Sequence, residues 1–262
     1  MDIKNKDNNN NQQDYYSKTL QHIIDNYIIK KETNDNKEND CIVIGLGSGS
    51  TVGRLVRKIG ELPNKDSFGF IPTSIQIKII GEERRLRFLD ESWINDLDLV
   101  IDGADQIDEN LNLIKGGGGA LLKEKILMYS AKQRVILADS KKFVTNFHIP
   151  VPIEVHPFAR FTAINQLQKA VVEVIEGFTE ITKPEIKSKI RVQGKGYPIV
   201  TENGNIILDT EFNFLNKIKD MEKFENLIKN IPGVIEVGIF PRKKNTICYS
   251  VNEDGTFSIR KS

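Results

Sequence analysis

The sequence predicts an α/β protein: an open, mostly parallel sheet with helices on both faces, plus a smaller ferredoxin-like α+β lobe. Three observations support this fold class. A strand pattern, a glycine loop and a helical pattern follow one another at residues 41–59, which is how a parallel α/β sheet begins. Three later strand patterns also end in polar residues. After Pro150 the patterns run strand, helix, strand, strand, helix, strand, the order of a ferredoxin-like unit.

The amino-terminal part divides into a polar leader, a helix and a polar insert. Residues 1–14 are Asn-rich and of low complexity, so they cannot bury enough apolar surface to offset ordering and are predicted to be disordered. In residues 15–30 apolar side chains recur at intervals of three and four, which indicates an amphipathic helix. These side chains are Leu20, Ile23, Ile24, Tyr27 and Ile28. The insert at 32–40 separates this helix from the first strand.

A glycine loop follows the first strand. Residues 41–44 form the strand pattern, 45–51 read Gly-Leu-Gly-Ser-Gly-Ser-Thr, and 52–59 show helical spacing. Backbone N–H groups at a helix amino terminus bind phosphate well, and the hydroxyls of the loop add donors. Ser50 stands where a dinucleotide fingerprint has its third glycine, and the Gly-Lys-Ser/Thr of a P-loop is absent. A phosphate site and a purely structural turn both remain open.

Polar residues end the next strands at the same edge of the predicted sheet. The strand pattern at 68–71 is followed by Pro-Thr-Ser, that at 98–102 by Gly-Ala-Asp, and that at 135–138 by Asp-Ser-Lys. Open α/β sheets bind their ligands at this edge. Asp102 and Asp105 can therefore reach one crevice, although Asp is also common in turns for local hydrogen bonding alone.

Lys115 precedes four consecutive glycines, 116–119, and then a helix. Each glycine costs a helix about 1 kcal/mol relative to Ala, so helix stability does not explain the run. Glycine lets another group approach the backbone closely. A series of N–H groups beside an ammonium is suited to stabilising an oxyanion that forms during a reaction.

Glu124 lies on the apolar side of the helix predicted from Ala120 to Ala131. Its neighbours three and four positions away are all apolar, so its carboxylate should project from the buried face, while Lys123 and Lys125 point elsewhere. Burial raises the pKa of a carboxyl toward the range useful to a general base. The alternative is a Glu that pairs with a core Lys or caps a turn; the association of perturbed groups with active sites favours a function.

The carboxyl-terminal half contains the patterns of the smaller lobe. They are a strand at 153–155, a helix from Ala163, a hairpin around 202–205, a helix at 221–229 and a strand at 234–239. A last hairpin around 252–255 is assigned to the large domain. The predicted organisation is a leader at 1–14, a catalytic α/β domain at 15–149 completed by 239–262, and a small lobe at 150–238.

Charge balance and cysteine content exclude several classes of protein. The chain has 37 Lys and Arg against 36 Asp and Glu, so no overall positive field would hold nucleic acid or an anionic membrane surface. Two distant cysteines, no apolar signal segment and no run of about 18 apolar residues predict a cytoplasmic protein. His22, His148 and His156 share no ligand spacing, so no metal site is expected.

Several of these motifs, in this order, resemble those of the ribose-5-phosphate isomerase type A family over almost the whole chain. They are Gly45-Leu-Gly-Ser-Gly-Ser-Thr51, Asp102-Gly-Ala-Asp105, Lys115-Gly-Gly-Gly118, Lys123-Glu-Lys125, Asp139-Ser-Lys141, Pro150 to Pro157, Asn203 to Asp209 and Ile231 to Gly238. The resemblance implies reversible conversion of ribose 5-phosphate to ribulose 5-phosphate through an enediolate, in the non-oxidative pentose phosphate pathway, with no metal or organic cofactor. Members of the family are usually homodimers or homotetramers.

The same resemblance implies roles for individual residues. Glu124 corresponds to the general base, and Lys115 with the adjacent glycine N–H groups holds the enediolate. Asp102 and Asp105 handle the sugar hydroxyls and ring opening. The implied substrate-binding positions are Ser48, Gly49, Ser50, Thr51, Gly103, Ala104, Gly116, Gly117, Gly118, Lys141 and Lys18.

Two positions depart from the family pattern, and two other functions remain as alternatives. Gln106 stands where the family often has Glu, and Ser48 replaces a frequent Thr while keeping the hydroxyl. A non-catalytic sugar-phosphate sensor would be expected to lack Glu124 or to carry a helix-turn-helix module. Enzymes of related fold are the nearer alternative: a coenzyme A transferase, or an amino-sugar phosphate deaminase, which would be expected to use a His in ring opening.

Overall fold

The structure is a computed structural model that describes residues 15–30, 41–175 and 184–262. The leader predicted at 1–14 and the insert at 32–40 lie outside the described residues. The described helices are α1 (Ser17–Ile23, continued by a π-helical segment Ile24–Ile29), α2 (Gly49–Ile59), α3 (Ile75–Glu83), α4 (Leu121–Ser130), α5 (Arg160–Ile175) and α6 (Met221–Lys229). Within the described ranges, no helix has both the length and the apolar composition of a membrane span.

The strands of the described residues pair into four sheets. In chain order they are β1 (Ile42–Leu46), β2 (Phe68–Pro72), β3 (Leu99–Asp102), β4 (Gln106–Ile107), β5 (Leu113–Ile114), β6 (Gln133–Asp139), β7 (Val151–Val155), β8 (Ile186–Ile190), β9 (Val192–Gln193), β10 (Tyr197–Pro198), β11 (Ile206–Phe212), β12 (Val234–Val237), β13 (Ile239–Phe240), β14 (Thr246–Val251) and β15 (Phe257–Lys261). A two-stranded ribbon is formed by β9 and β10.

The largest sheet has six strands in the order β15, β14, β6, β3, β1, β2. Its neighbours are parallel except for β15, which pairs antiparallel to β14. The terminal hairpin therefore joins this sheet as predicted. Alternate side chains of a strand point to opposite faces: Ile42 and Ile44 contact a core shared with α1, α2 and α3, whereas Val43 lies in a second core that includes residues of α4. The mostly parallel sheet with helices on both faces is confirmed.

The four-stranded sheet has the order β12, β7, β11, β8, with all neighbours antiparallel. Together with α5 and α6 it follows the predicted strand, helix, strand, strand, helix, strand sequence, and the ferredoxin-like lobe is confirmed. Its core contains side chains from both helices, including Leu167 and Phe224. Because this unit has its own sheet and core, it supports the proposed division of the chain near residues 150 and 238.

A third sheet, β13, β5, β4, joins the two larger ones and was not predicted. The strand expected at 234–239 is divided at Gly238, so that β12 and β13 belong to different sheets. A Cβ at Gly238 would lie 2.4 Å from the carbonyl oxygen of Lys115 and 2.8 Å from that of Pro152. Such contacts are too short for any side chain, so this close crossing of three backbone segments requires glycine.

A buried ionic cluster attaches α4 to the smaller lobe. The ammonium of Lys125 donates to Glu225 Oε1 at 2.9 Å and to Glu236 Oε1 at 2.8 Å. It also donates to the carbonyl oxygens of Val237 and Ile239, at 2.6 and 3.0 Å. Lys125 points away from the face that carries Glu124, but it is buried as well, because α4 is covered on this side by β12 and by Glu225 of α6.

Replacing Lys125 with Met should lower the free energy of unfolding by about 3–5 kcal/mol, because the buried carboxylate of Glu225 would lose its cation and that of Glu236 would keep only Lys229. Urea denaturation followed by circular dichroism measures this. Lys223→Met is the matched control, since Lys223 is 87% exposed beside Asp220, and it should change stability by about 0.5 kcal/mol or less. Equal effects of the two substitutions would contradict the proposed importance of the cluster.

Candidate active site

A cavity of about 170 Å³ lies at the carboxyl ends of β1 and β3. Thirteen of the fifteen predicted site residues line it, although they come from separate parts of the chain. They are Ser48, Gly49, Ser50, Thr51, Asp102, Gly103, Ala104, Asp105, Lys115, Gly116, Gly117, Gly118 and Glu124. The sheet edge at which α/β proteins bind ligands is therefore also where the structure brings the predicted residues together.

The glycine loop is fixed to the end of β3 by Asp102. Oδ1 of this carboxylate accepts hydrogen bonds from the N–H of Ser48 at 3.3 Å and of Gly103 at 2.7 Å. A Cβ on Gly47 would overlap the same carboxylate, with a separation of 1.9 Å. Glycine at this position lets Asp102 reach the loop. The first turn of α2, which begins at Gly49, consequently lines the cavity.

One buried ammonium is shared by two buried carboxylates. Lys115 Nζ lies 2.9 Å from Asp102 Oδ2 and 3.2 Å from Glu124 Oε2, and it donates to the carbonyl oxygen of Gly103 at 2.6 Å. At most 5% of each of these three charged side chains is exposed. A buried charge is costly unless it is paired, so each group of this cluster depends on the others.

The environment of the cluster shifts the pKa values of Asp102 and Lys115. Burial, followed by the charge of Glu124, raises the pKa of the Asp102 carboxyl well above its usual range. Burial alone would lower the pKa of the Lys115 ammonium, but the nearby carboxylates of Asp102 and Glu124 raise it instead. Lys115 therefore stays positively charged, and Asp102 gains a tendency to hold a proton.

Glu124 is buried on the cavity side of α4, as predicted from the apolar neighbours in its sequence. One carboxylate oxygen accepts a hydrogen bond from the hydroxyl of Ser48, and the other faces Lys115. The structure therefore agrees with both interpretations of Glu124, as a partner of a core Lys and as a residue of the site. Glu124 does pair with a buried Lys, and it lines the cavity at the same time.

The glycine run is held by groups from both lobes. Lys115 N–H donates to the carbonyl oxygen of Gly238 at 2.9 Å, and Gly117 N–H donates to Asp105 Oδ2 at 2.7 Å. On its other side, the guanidinium of Arg191 contacts carbonyl oxygens of the run. Sequence reasoning missed Arg191, because its distant position in the chain gives no local signal for this contact.

Two predicted residues do not line the cavity. The ammonium of Lys141 is exposed and pairs with the carboxylate of Glu253. Lys142 lines the cavity instead, donating to the carbonyl oxygen of Ala104 at 2.7 Å. Adjacent lysines after a strand point in different directions, and sequence spacing alone could not decide between them. Lys18 is exposed and lies within electrostatic range of Asp254.

Histidine and metal-ligand clusters do not contribute to the described site. None of the three histidines is among the residues that line this cavity in the described chain. His22 contacts the hydroxyl of Tyr249, and His148 contacts Gln106. In the part of the chain that the structure describes, no group of three or more His, Cys, Asp or Glu is arranged to hold a metal ion.

Comparison with known sequences gives consistent matches over most of the chain. The profile described as ribose 5-phosphate isomerase A (phosphoriboisomerase A) matches residues 69–255. A ribose-5-phosphate isomerase from Candida albicans is 36% identical over 233 residues, covering 87% of this chain and 92% of the relative. One from Pyrococcus furiosus is 39% identical over 207 residues, covering 77% of this chain and 83% of the relative.

Solved structures of similar proteins agree with these matches. Ribose 5-phosphate isomerase from Plasmodium falciparum has a TM-score of 0.76 at 30% identity, covering 95% of this chain and 98% of its own. A D-ribose-5-phosphate isomerase in complex with phospho-erythronic acid has a TM-score of 0.69 at 32% identity, with coverage of 94% and 99%. From the profile match and these relatives, we conclude that the chain belongs to the ribose 5-phosphate isomerase A family of aldose–ketose isomerases.

Proposed function

We propose that this protein interconverts ribose 5-phosphate and ribulose 5-phosphate through an enediolate, with Glu124 as the general base. The observation that carries the proposal is the buried cluster of Glu124, Lys115 and Asp102 at the cavity wall. It combines a carboxylate, a fixed cation and a carboxyl with a raised pKa. A relative of known structure binds phospho-erythronic acid, a phosphorylated sugar acid, which supports a sugar phosphate as substrate.

The reaction begins with opening of the furanose ring. A proton leaves the hydroxyl on C1, and a proton reaches the ring oxygen as its bond to C1 breaks. We assign the proton transfer to Asp102, because burial and the charge of Glu124 raise the pKa of its carboxyl and so keep a proton available. We assign Asp105, which also lines the cavity, to binding a sugar hydroxyl.

The isomerisation then moves one proton between two carbons. Glu124 removes the proton from C2 of the open aldose and returns it to C1, while the oxygens on C1 and C2 exchange a proton across the enediolate. The Lys115 ammonium and the glycine N–H groups oppose the charge that develops on oxygen. One such donor contributes about 3–4 kcal/mol to an oxyanion transition state. Because Lys115 is already held by two carboxylates, it needs little reorientation during the reaction.

The phosphate of the substrate is assigned to the other end of the cavity. The first turn of α2 lines the cavity there with Gly49, Ser50 and Thr51, and Lys142 adds a cation. This arrangement is typical of a phosphate site at a helix amino terminus. A cytoplasmic location, a homodimer or homotetramer and a place in the non-oxidative pentose phosphate pathway remain predictions.

The two alternative functions have less support. A sugar-phosphate sensor does not need a buried carboxylate beside a cation, and the cavity contains both. A deaminase was expected to use a His in ring opening, whereas the three histidines of the chain lie outside the lining of the cavity. The acidic side chains that line the cavity favour an isomerase, which moves a proton between carbons, over a sensor or a deaminase.

The purified protein should form ketose from ribose 5-phosphate in the presence of a metal chelator, whereas Glu124→Gln should lower kcat by about a thousandfold or more. The amide keeps the shape of the side chain but cannot accept the proton from carbon, and removal of an acting base carries a loss of this order. A coupled assay for the ketose, with circular dichroism to check folding, measures both. Glu253→Gln, on the exposed surface, is the control and should keep normal turnover. Near-normal activity of Glu124→Gln would refute the assigned base.

Asp102→Asn tests whether Asp102 holds a proton in the folded protein. Its pKa is raised on folding, so its contribution to stability is present at low pH and is lost as the pH rises through the folded-state pKa. The stability of the wild type relative to the variant should therefore fall from about pH 4 upward and then level off. Urea denaturation of both proteins across this range measures the difference. If the stability of the wild type relative to the variant instead grew with pH, the folded protein would favour the ionised carboxylate of Asp102.

Lys142→Met should raise KM for ribose 5-phosphate about tenfold, because a charge-assisted hydrogen bond to phosphate contributes about 1.5–3 kcal/mol. Lys141→Met is the matched control, since that ammonium pairs with Glu253 outside the cavity, and its KM should change about twofold at most. Initial-rate measurements give both values. The reverse pattern would give the phosphate role to Lys141, the lysine that the family resemblance implies for substrate binding.

A further inference from the structure

Arg191 connects the smaller lobe to the glycine run of the active site. It lies between β8 and β9, and its Nη1 donates to the carbonyl oxygens of Gly116 at 2.7 Å and of Gly117 at 3.0 Å. The same guanidinium is held in place from behind by Asp209 on β11, through Nε at 2.9 Å and through Nη2. The Arg191 side chain is 14% exposed, so most of it lies within this contact.

These contacts determine which way the peptide groups of the run face. In a trans peptide, the carbonyl and the N–H of the next residue point in opposite directions. With the Gly116 carbonyl on Arg191, the N–H of Gly117 must face the other way, and it does donate to Asp105 Oδ2 at 2.7 Å. With the Gly117 carbonyl on Arg191, the N–H of Gly118 also turns to the opposite side. Gly118 lines the cavity there, and a Cβ on it would lie 3.8 Å from Ser48 Oγ.

Within the glycine run the N–H of Gly119 donates to the carbonyl oxygen of Gly116 at 3.1 Å, whereas the carbonyl oxygen of Gly117 is held from outside by Arg191. Glycine is the residue with the widest range of backbone conformations, and Gly116 and Gly119 have φ values of 102° and 83°. Nothing in the side chains of four glycines selects one orientation of the peptide groups. A planar guanidinium that is itself fixed by a carboxylate can bind two adjacent carbonyl oxygens with defined geometry.

We propose that Arg191, held by Asp209, is a positioning residue that keeps the N–H groups of Gly117 and Gly118 turned toward Asp105 and the cavity. The inference rests on the proposed role of the glycine run in holding the enediolate. Arg191 itself does not touch the reacting atoms. Loss of Arg191 would leave the phosphate-binding part of the cavity intact but would misplace the N–H donors of Gly117 and Gly118.

The test compares Arg191→Met with Arg160→Met, using kcat and KM for ribose 5-phosphate. Arg160 is the matched control, because it also donates to a carbonyl oxygen, that of Pro157, in the smaller lobe but away from the cavity. Arg191→Met should lower kcat by about ten- to a hundredfold, as expected for misplaced donors, and leave KM within about threefold. Arg191→Lys should fall between this variant and the wild type, because one ammonium cannot bind both carbonyl oxygens and also both oxygens of Asp209 as the planar guanidinium does. Arg160→Met should behave as the wild type.

Competitive inhibition separates a positioning role from a structural one. Inorganic phosphate probes the phosphate end alone, whereas phospho-erythronic acid also places a carboxylate at the sugar end. In Arg191→Met, inhibition by phospho-erythronic acid should weaken about tenfold more than inhibition by phosphate. Asp209→Asn keeps Arg191 but weakens the contact that holds its guanidinium. This variant should show the same selective effect to a smaller degree. It therefore tests the inference even if Arg191→Met does not fold.

Two results would overturn the inference while leaving the proposed function in place. One is an active wild type with an unchanged kcat in Arg191→Met. The other is equal weakening of both inhibitors, which would indicate a general structural role. A wild type that does not isomerise ribose 5-phosphate would overturn the proposed function and this inference together.

Discussion

The buried ammonium of Lys115, shared between Asp102 and Glu124, is the interaction on which the site depends. β3 supplies Asp102, α4 supplies Glu124, and Lys115 follows β5, so three separate segments must meet within about 3 Å of one nitrogen. If any one segment moved away, the remaining charges would be buried without a partner, which is strongly unfavourable. The cluster therefore links the chemistry of the site to the stability of the fold around it.

The smaller lobe holds this cluster from behind. Val237, Gly238 and Ile239 form the junction between β12 and β13, and the junction contacts both charged segments. The carbonyl of Gly238 accepts from the backbone of Lys115, while the carbonyls on either side of it accept from the ammonium of Lys125 on α4. Lys115 and the helix that carries Glu124 are thus fixed to the same three residues. This shared support explains why Gly238 can tolerate no side chain.

The sequence predicts the main elements of this architecture but not the contacts that hold them together. Strand ends and the apolar neighbours of Glu124 are local patterns, and they correctly indicate the sheet edge and the buried carboxylate. The strands of the joining sheet have only two residues each, too few to show an alternating pattern. Lys125 and Arg191 have partners about a hundred and about seventy-five positions away, and the direction of Lys142 depends on how the chain leaves β6. Such features follow from tertiary packing, which local periodicity does not record.

The distribution of charge in the cavity also bears on the orientation of the substrate in the proposed reaction. Two carboxyl groups and one ammonium occupy the inner end, so a phosphate there would meet more negative than positive charge whenever both acids are ionised. Lys142 and the first turn of α2, the positive end of that helix, also line the cavity. In the function proposed above, a substrate phosphate would be repelled by the two carboxyl groups and attracted to Lys142 and α2, which would leave the uncharged carbons C1 and C2 for Glu124. The raised pKa of Asp102 limits the negative charge of this cluster, so the proton that the proposed ring opening needs would also reduce repulsion of the phosphate during binding.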